Sequence, residues 1–405
     1  MKKKVIIIGA GPAGIITAAY LLKSGIDVEI IEKSVFPRLV VGESLLPVSL
    51  DHFEELDLMP LLEKQGYQIK PGIRFYREKK LFEFSFSDQF TENAKTYTWQ
   101  VPRADFDKVL ADEISNRGAI INYGATIQSL SIEDQVQIKF KKDGKDHIAK
   151  GDFLVDASGF GNVVPNLLNQ EVKKNQYPNW ACFTHVQDTR ADQFEEPSRI
   201  SFDIIAVDLW FWMIPFSNGT TSIGFSGHKR HFDKCDDSPE YFTSLLEKTP
   251  QFKDRFKGLP YKFDPRWHKG FSQAATQMYG DKYVLVGNTL EFLDPVFSSG
   301  VALATASAKF ASEQIIKELS NEQADWDEYV NKIKSGIDVF KTYVESWYTG
   351  ELQEIIFSKQ FNPGFQQQIC SVLAGYVWDK NNNFAKKHKR ALKALNRVIQ
   401  LAEND

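Results

Sequence analysis

The chain has 405 residues, 42% hydrophobic and 25% charged, an ordinary globular composition that excludes a disordered, collagen-like or coiled-coil protein. Its 49 Lys and Arg against 53 Asp and Glu give a net charge of −4, so no global positive field favours a nucleic-acid partner. The three cysteines form no CxxC pair, which argues against a disulfide framework or a structural zinc site and favours a reducing cytoplasm.

The first elements in chain order are a short buried strand, a glycine-rich turn and a helix. Residues 4–8 are mostly β-branched, and Gly9, Gly11 and Gly14 follow with GxGxxG spacing. In a dinucleotide-binding unit these glycines permit the tight turn, the approach of a pyrophosphate, and the packing of helix on strand. The helix predicted over 13–23 offers free N–H groups to the phosphates. Because glycines and a proline interrupt this uncharged run, we expect no membrane span there and a soluble protein.

The second predicted strand, 27–32, ends in an acidic residue, Glu32, and the chain continues with Lys33. A carboxylate at that point can accept hydrogen bonds from a ribose 2′-hydroxyl. Together these elements indicate a dinucleotide site, but they do not decide between FAD and NAD. Only one such unit occurs, so we expect no separate nicotinamide-binding domain.

Four later segments combine glycines, prolines and charged residues at predicted turns. They read FPRLVVGESLLP (36–47), VPRADFD (101–107), DFLVDASG (152–159) and VLVGNTLEFLDPVFSSGV (284–301). Arg103 precedes a predicted helix, 104–117, whose N-terminus disfavours a cation, so it needs an anionic partner; a phosphate and a surface ion pair both fit. Glu43 and Ser44 either contact the cofactor or cap the amphipathic stretch 48–62.

The last of these segments predicts a strand at 283–286, a close turn at Gly287-Asn288 and a helix over 301–319. If the dinucleotide is a flavin, the N-terminus of that helix can stabilise negative charge on the reduced redox ring, and we expect the ring to lie against the start of the helix.

In order and content the segments resemble the PRxxxGESLLP, RxxFD, D-A-(S/T)-G and GDAxxFxDPVFSSGV motifs of flavin-dependent halogenases and the related geranylgeranyl reductases. The resemblance implies FAD as cofactor and a p-hydroxybenzoate hydroxylase-like α/β fold, with a Rossmann-type FAD-binding domain, an inserted antiparallel β-sheet substrate domain and a helical C-terminal region. The implied bounds are 1–70, 101–170 and 274–320 for the FAD-binding domain, 71–100 and 171–273 for the substrate domain, and 321–405 for the helical region. With those of the glycine unit, the candidate cofactor-binding residues are Gly9, Gly11, Pro12, Ala13, Gly14, Glu32, Lys33, Arg38, Gly42, Glu43, Ser44, Arg103, Ala125, Asp156, Ala157, Ser158, Gly159, Gly287, Asn288, Asp294, Pro295, Gly300 and Val301. Ala125 follows a strand predicted at 120–123, where its backbone could meet the adenine; a plain strand end is the alternative.

One position departs from the resemblance. Asn288 stands where those families carry an Asp that hydrogen-bonds the ribityl chain. An amide keeps an acceptor and adds a donor, so it is compatible with FAD, while affinity and reduction potential would differ.

The resemblance also implies residues for the chemistry. Halogenases of this group receive reduced flavin from a separate reductase and convert halide to hypohalous acid, and a lysine distant from the flavin delivers halogen to an electron-rich ring. Lys70 resembles that lysine, and burial by its apolar neighbours would lower its pKa; an exposed loop lysine is the alternative. Ser298, Ser299 and Gly300 are the other candidate catalytic residues.

A tryptophan-rich segment, residues 210–215, resembles the WxWxIP signature of halogenases, which is thought to keep substrate away from the flavin. Strand alternation places Trp210, Trp212 and Ile214 on one face. Ordinary aromatic packing in a sandwiched sheet is the alternative. Further strands of the antiparallel substrate sheet are expected at 72–76, 81–86, 96–100, 181–186, 201–205 and 220–225.

Beyond residue 320 the pattern is helical, with an aromatic stripe that favours packing against the FAD-binding domain. Residues 385–397 carry six Lys or Arg and no acid. A solvated helix face, an acidic acyl carrier protein and an anionic membrane surface are three explanations. The seven histidines show no ligand spacing, so no metal is expected.

The leading functional hypothesis is a halogenase-like monooxygenase that uses reduced FAD and O2 on an aromatic or carrier-bound small molecule, with a flavin reductase as electron donor. The first alternative is an FAD-dependent reductase or dehydrogenase of a lipid-like alkene, as in geranylgeranyl reductases. The second is a flavin-binding protein without turnover.

Overall fold

The computed structural model describes residues 2–174, 179–233, 235–270 and 272–404. Its helices are α1 Pro12–Lys23, α2 Val48–Glu55, α3 Met59–Glu63, α4 Arg103–Asn116, α5 Val163–Leu167, α6 Pro239–Leu246, α7 Lys253–Phe256, α8 Ser299–Leu319, α9 Trp326–Tyr348, α10 Glu351–Phe357, α11 Pro363–Leu373, α12 Asn383–Lys386 and α13 His388–Asn404. Its strands are β1 Lys4–Ile8, β2 Asp27–Ile31, β3 Gln68–Lys70, β4 Gly72–Arg77, β5 Lys80–Ser85, β6 Thr98–Gln100, β7 Ile120–Asn122, β8 Thr126–Ile132, β9 Val136–Lys142, β10 Lys145–Gly151, β11 Phe153–Asp156, β12 Val172–Lys174, β13 Asn179–Gln187, β14 Ser201–Ala206, β15 Leu209–Pro215, β16 Thr220–His228, β17 Arg266–Lys269, β18 Gln273–Ala275, β19 Tyr279–Gly280, β20 Tyr283–Leu285 and β21 Glu291–Phe292.

A six-stranded sheet contains the first two strands of the predicted dinucleotide-binding unit. Its order is β19-β20-β11-β1-β2-β7, and all pairs are parallel except the edge pair β19–β20. Strand β1 lies in the interior because its side chains from Val5 to Ile8 are buried on both faces. Helices α1 and α8 pack against each other beside this sheet. The predicted first strand, glycine turn, helix and second strand are therefore present.

The dipeptide Asp143-Gly144 is typical of a hairpin turn, and the hairpin that it predicts forms. Strands β9 and β10 pair in register across Asp143-Gly144, and both residues have positive φ, 51° and 76°. That backbone suits a two-residue turn, because it follows the twist of the paired strands. Strand β8 completes a three-stranded sheet, β10-β9-β8.

The seven-stranded sheet has the order β17-β13-β16-β15-β14-β4-β5. The expectation of a wholly antiparallel sheet is wrong at one place, since β14 pairs with β4 in parallel. These two strands come from separate insertions, so no hairpin constrains their relative direction. The sequence pattern also places residues 96–100 in this sheet, and this expectation is wrong, because β6 pairs with β3 in a separate two-stranded ribbon. Strand patterns predict extended segments but not their partners.

Strand β15 shows the predicted alternation. Trp210, Trp212 and Ile214 belong to the main hydrophobic core, while Phe211 and Met213 pack in a second core with residues of α6 and α7. The close packing depends on Gly224 of β16, because a Cβ there would lie 2.3 Å from Cζ2 of Trp212.

The C-terminal region is helical, as predicted. The aromatic stripe of α9, including Phe340, Tyr343 and Trp347, is buried in the main core, which confirms its packing role. None of the described helices combines the length and apolar character that a bilayer crossing requires.

Candidate flavin site and the buried lysine

Two of the three motif glycines allow β1, α1 and β11 to approach each other. Gly9 has φ +96°, and a Cβ on it would lie 2.6 Å from the carbonyl oxygen of Ala157. A Cβ on Gly14 would lie 2.0 Å from the carbonyl oxygen of Gly9. These glycines are therefore required by the fold itself, whether or not a nucleotide is bound.

The remaining motif glycine, Gly11, has a different environment. A Cβ on it would meet nothing closer than Nη2 of Arg38, at 3.6 Å. Helix α1 begins next, with Pro12 followed by Ala13, and no described side chain caps its N-terminus. Open space, uncapped N–H groups and a nearby guanidinium are what a pyrophosphate needs.

Glu32 closes the far side of this loop. Its Oε2 accepts the Ala10 N–H at 2.7 Å, and its Oε1 accepts the Ser34 N–H at 2.7 Å. Each carboxylate oxygen keeps a further lone pair, so Glu32 can still accept a ribose hydroxyl. Lys33 beside it is exposed, and the Ala125 N–H donates to the Glu32 carbonyl at 2.9 Å.

Arg103 finds its anionic partner inside the protein. It is the first residue of α4, and its Nε and Nη2 bind Asp107 at 2.7 and 2.9 Å. Its Nη1 donates to the carbonyls of Val41 and Gly42, both at 3.2 Å. Arg38 reaches the same carboxylate at 3.2 Å. Of the two alternatives for Arg103, an ion pair is present, but it is buried and not at the surface. Arg38 also lies 4.0 Å from Glu32 Oε1, so the two guanidinium groups face two carboxylates beside the glycine loop.

The strand end at β11 is shaped by Asp156. Its carboxylate is fully buried and accepts the N–H groups of Ser158 at 2.9 Å and Val164 at 2.7 Å. Burial raises its pKa. The Gly159 N–H then donates to Thr289 Oγ1 at 2.8 Å, which joins this turn to residues 287–289.

The turn at 287–289 brings the chain back to α1. Gly287 has φ +63°, and a Cβ there would lie 2.7 Å from that of Ala13. Asn288 is partly exposed, and its amide makes no hydrogen bond within the described part of the chain. An unpaired amide beside the turn is available to a ligand.

Asp294 and Pro295 begin the loop that leads into α8. The Asp294 carboxylate accepts hydrogen bonds from the Val296 N–H at 3.1 Å, Asn179 Nδ2 at 2.9 Å and Tyr348 Oη at 2.7 Å. Burial raises its pKa to about 6, against the lowering effect of these donors.

Helix α8 begins at Ser299, two residues before the predicted start at Val301. Ser298 precedes it in a left-handed conformation, φ 57°, and no described side chain caps the helix. The first N–H groups, including that of Gly300, are therefore open to a ligand.

Lys70 lies on β3 with no exposed surface. Its Nζ donates to Ser44 Oγ at 2.8 Å and to the Leu45 carbonyl at 2.9 Å, and it lies 5.4 Å from the centre of the Phe86 ring. Burial lowers the pKa of Lys70 to about 7. Ser298 Oγ donates to Ser44 Oγ at 3.1 Å, so Ser44 joins the lysine to the start of α8. The alternative of an exposed loop lysine is wrong.

Glu43 occupies the opposite side of the same segment. His185 Nε2 lies 2.6 Å from its Oε1, while its buried Oε2 has no partner among the described residues. The helix-capping alternative is wrong, since α2 has Pro47 at its N-cap and no capping side chain. Sequence reasoning missed His185, because a single histidine in a strand pattern carries no signal.

Trp210 Nε1 donates to Tyr348 Oη at 3.0 Å, and Trp212 Nε1 to Ser222 Oγ at 3.3 Å. Their rings lie 5.7 Å apart, with Phe202 5.5 Å from Trp210. Aromatic packing is therefore present on this face.

The residues present fit FAD. Gly11 leaves a gap beside Arg38, the amide of Asn288 is unpaired, and the start of α8 is uncapped. Within the described ranges, no group of three His, Cys, Asp or Glu is placed to hold a metal ion.

Similar proteins are known at the levels of sequence and fold. A family model described as tryptophan halogenase matches residues 4–95 and 78–357. The 1H-pyrrole-2-carbonyl-[peptidyl-carrier protein] chlorinase of Pseudomonas fluorescens is 26% identical over 431 residues, 99% of this chain and 94% of the relative. The structure of a flavoprotein/dehydrogenase from Cytophaga hutchinsonii matches with TM-score 0.95 and 39% identity over all of both chains. The flavin-dependent brominase Bmp2 matches in fold, with TM-score 0.84 and 23% identity over all of both chains.

Proposed function

The chain belongs to the tryptophan halogenase family, whose relatives include flavin-dependent halogenases, and on that premise we propose that it halogenates an electron-rich aromatic ring. The family, the α/β fold, the FAD cofactor and the oxidoreductase class predicted from the sequence are confirmed. Membership in an enzyme family argues against a flavin-binding protein without turnover. When bound, reduced FAD with O2 supplies the oxidising power that converts halide to hypohalous acid.

We propose that the cofactor extends from the glycine loop to the start of α8. Gly11 and Arg38 would hold the pyrophosphate, and Glu32 would bind the ribose, while Arg103 would hold Arg38 in place through the Asp107 carboxylate that they share. Asn288 would meet the ribityl chain, and the N–H groups at Ser299 and Gly300 would stabilise negative charge on the ring or bind halide. Asp156 would contribute by shaping the turn after β11, because both of its carboxylate oxygens already accept backbone N–H groups.

The observation that carries the proposal is the environment of Lys70. A lysine with a pKa near 7 is half neutral at neutral pH, and only a neutral amine has the lone pair that accepts electrophilic halogen. Ser44 and the Leu45 carbonyl fix the direction of its Nζ. We therefore assign Lys70 the delivery of halogen from hypohalous acid to the ring.

Replacement of Lys70 by Ala tests this assignment. We expect chloride- or bromide-dependent product to fall at least about 100-fold, because a positioned acid–base or nucleophilic group contributes about that much. FAD binding and O2 consumption by the reduced flavin should persist. The matched control is Lys80→Ala, at an exposed lysine of β5. Normal halogenation by the Lys70→Ala variant would refute the assignment.

We further propose that the substrate is presented on an acidic carrier protein. The chlorinase relative is named for a carrier-bound pyrrole and aligns over 99% of this chain. The six cations of 385–397 are exposed, and none pairs with a described carboxylate; they are Lys386, Lys387, Lys389, Arg390, Lys393 and Arg397. Leu392, Leu395 and Ile399 of α13 are buried against the protein, whereas Val398 and Leu401 are exposed, so the helix is held on the protein by one apolar face.

A separate flavin reductase is the proposed electron donor, because the chain has one dinucleotide motif and no second such unit. Bleaching of bound FAD by NADH or NADPH alone would contradict this. Bleaching only when a reductase supplies reduced flavin would support it.

A second candidate is an FAD-dependent dehydrogenase or reductase. It is favoured by the name of the Cytophaga hutchinsonii structure, a flavoprotein/dehydrogenase at 39% identity. Halide-independent oxidation or saturation of an organic substrate would select this function over halogenation.

A further inference from the structure

The carboxylate of Asp294 accepts hydrogen bonds from three donors on separate elements: the Tyr348 hydroxyl, the Asn179 amide and the Val296 N–H. Trp210 of β15 donates to Tyr348 Oη at 3.0 Å, and Tyr348, the last residue of α9, donates to Asp294 at 2.7 Å. Asn179 of β13 donates to the same oxygen of Asp294 at 2.9 Å. The second oxygen of Asp294 accepts the Val296 N–H at 3.1 Å.

Asp294 lies at a point where its orientation matters. Its side chain caps the 3₁₀ turn Pro295–Phe297, and that turn leads into Ser298 with its positive φ and then into α8. The carboxylate is only 4% exposed, so water cannot replace a lost donor easily. A rotation of Asp294 would therefore tilt the first N–H groups of α8.

Two of these donors lie outside the segments that resemble flavoenzyme motifs. Tyr348 and Asn179 belong to regions whose sequence indicated only packing and strand formation. Each nevertheless reaches the loop between β21 and α8, more than 50 residues away in the chain.

We propose that Tyr348 is a positioning residue: through Asp294 it holds loop 294–300 in the orientation that serves the flavin ring and the halide, and it couples this loop to the tryptophan strand. The inference rests on the proposed flavin site at the start of α8. It makes α9 part of the functional apparatus of the enzyme as well as a packing element.

The test is Tyr348→Phe, which keeps the ring and removes the hydroxyl. We expect the Kd for FAD or the KM for halide to rise about tenfold, the effect of losing about 1.4 kcal/mol from a hydrogen bond to a charged group. The kcat should change less than the KM, and the absorption band of bound FAD should shift.

The matched control is Tyr343→Phe on the same helix. Tyr343 is buried, whereas Tyr348 is half-buried, and the Tyr343 hydroxyl donates to the Phe384 carbonyl at 3.2 Å and not to Asp294. The Tyr343→Phe variant should lose about as much unfolding free energy as Tyr348→Phe, while its flavin spectrum and its KM for halide stay at wild-type values. Trp210→Phe removes only the outer donor and should give a smaller shift in the same direction.

The outcomes separate the two proposals. A protein that does not bind FAD at all refutes the proposed function. A protein that binds FAD, with identical spectra and constants in wild type and Tyr348→Phe, refutes the positioning role alone. If Tyr348→Phe fails to fold, Asn179→Ala removes another donor to Asp294 and must show the same spectral and KM changes for the inference to stand.

Discussion

At the scale of single residues, Lys70 contributes chemistry at a cost in stability. It has no exposed surface and, among the described residues, no carboxylate partner. Its contacts are a hydroxyl, a carbonyl and an aromatic ring, and these compensate only part of the loss of water around an ammonium group. The folded protein therefore favours the neutral amine.

This cost has a defined pH dependence. The pKa of Lys70 is about 7 in the folded chain and about 10.4 in an unfolded one, so between these values the unfolded chain binds the extra proton. The buried lysine therefore lowers the free energy of unfolding by an amount that increases as pH falls from 10 to 7 and is nearly constant below pH 7. We expect Lys70→Met to gain stability relative to wild type by about 3 kcal/mol more at pH 7 than at pH 10.

Denaturant unfolding at the two pH values measures that difference. Lys80→Met should show no such change, since Lys80 is exposed in the folded protein. Parallel pH profiles for wild type and Lys70→Met would mean that Lys70 stays charged when buried.

At the scale of elements, the turn between β1 and α1 separates fold from ligand binding. Gly9 and Gly14 are fixed by backbone contacts, whereas Gly11 faces open space with an ordinary φ of −74°. Within one motif, Gly9 and Gly14 thus serve the fold, whereas Gly11 leaves space for a ligand.

Alanine substitutions should distinguish these purposes. Gly14→Ala forces a methyl onto the Gly9 carbonyl and should destabilise the protein by about 2 to 3 kcal/mol. Gly11→Ala should leave the unfolding free energy nearly unchanged and weaken FAD binding roughly tenfold or more, because the methyl occupies the space of the pyrophosphate. Thermal unfolding without cofactor and fluorescence titration with FAD measure the two effects. Equal FAD affinity for Gly11→Ala and wild type would contradict the phosphate assignment.

At the scale of the whole molecule, a chain of net charge −4 concentrates cations on its last helix. Unpaired exposed charges of one sign contribute little to stability, so their value would lie in attracting an oppositely charged partner. The buried face of α13 holds the helix on the protein, which leaves the cations facing solvent.

Charge reversal tests this. The triple variant Lys389→Glu, Arg390→Glu, Lys393→Glu should raise the KM for a carrier-bound substrate roughly tenfold and reduce its salt dependence, with no change for a free aromatic substrate. The control reverses the same number of exposed charges elsewhere, at Lys139, Lys141 and Lys145 of the β9–β10 hairpin. Equal effects of the two triples would exclude a specific docking surface.

The sequence by itself determined the features that depend on near neighbours. The β1–α1 nucleotide loop, the Asp143-Gly144 hairpin and the facing of Trp210 and Trp212 all arise within a few residues, where backbone sterics and strand alternation decide the outcome. The family motifs likewise belong to continuous segments, so FAD was predictable.

Only the tertiary structure decided which distant groups meet. Glu43 and His185 are 142 residues apart, and Arg103 shares Asp107 with Arg38 through folding alone. The burial of Lys70, the parallel β14–β4 pair and the link from Tyr348 to Asp294 are decided in the same way. Local patterns specify conformation and polarity, whereas these contacts depend on how separate elements pack, and no single segment carries that information.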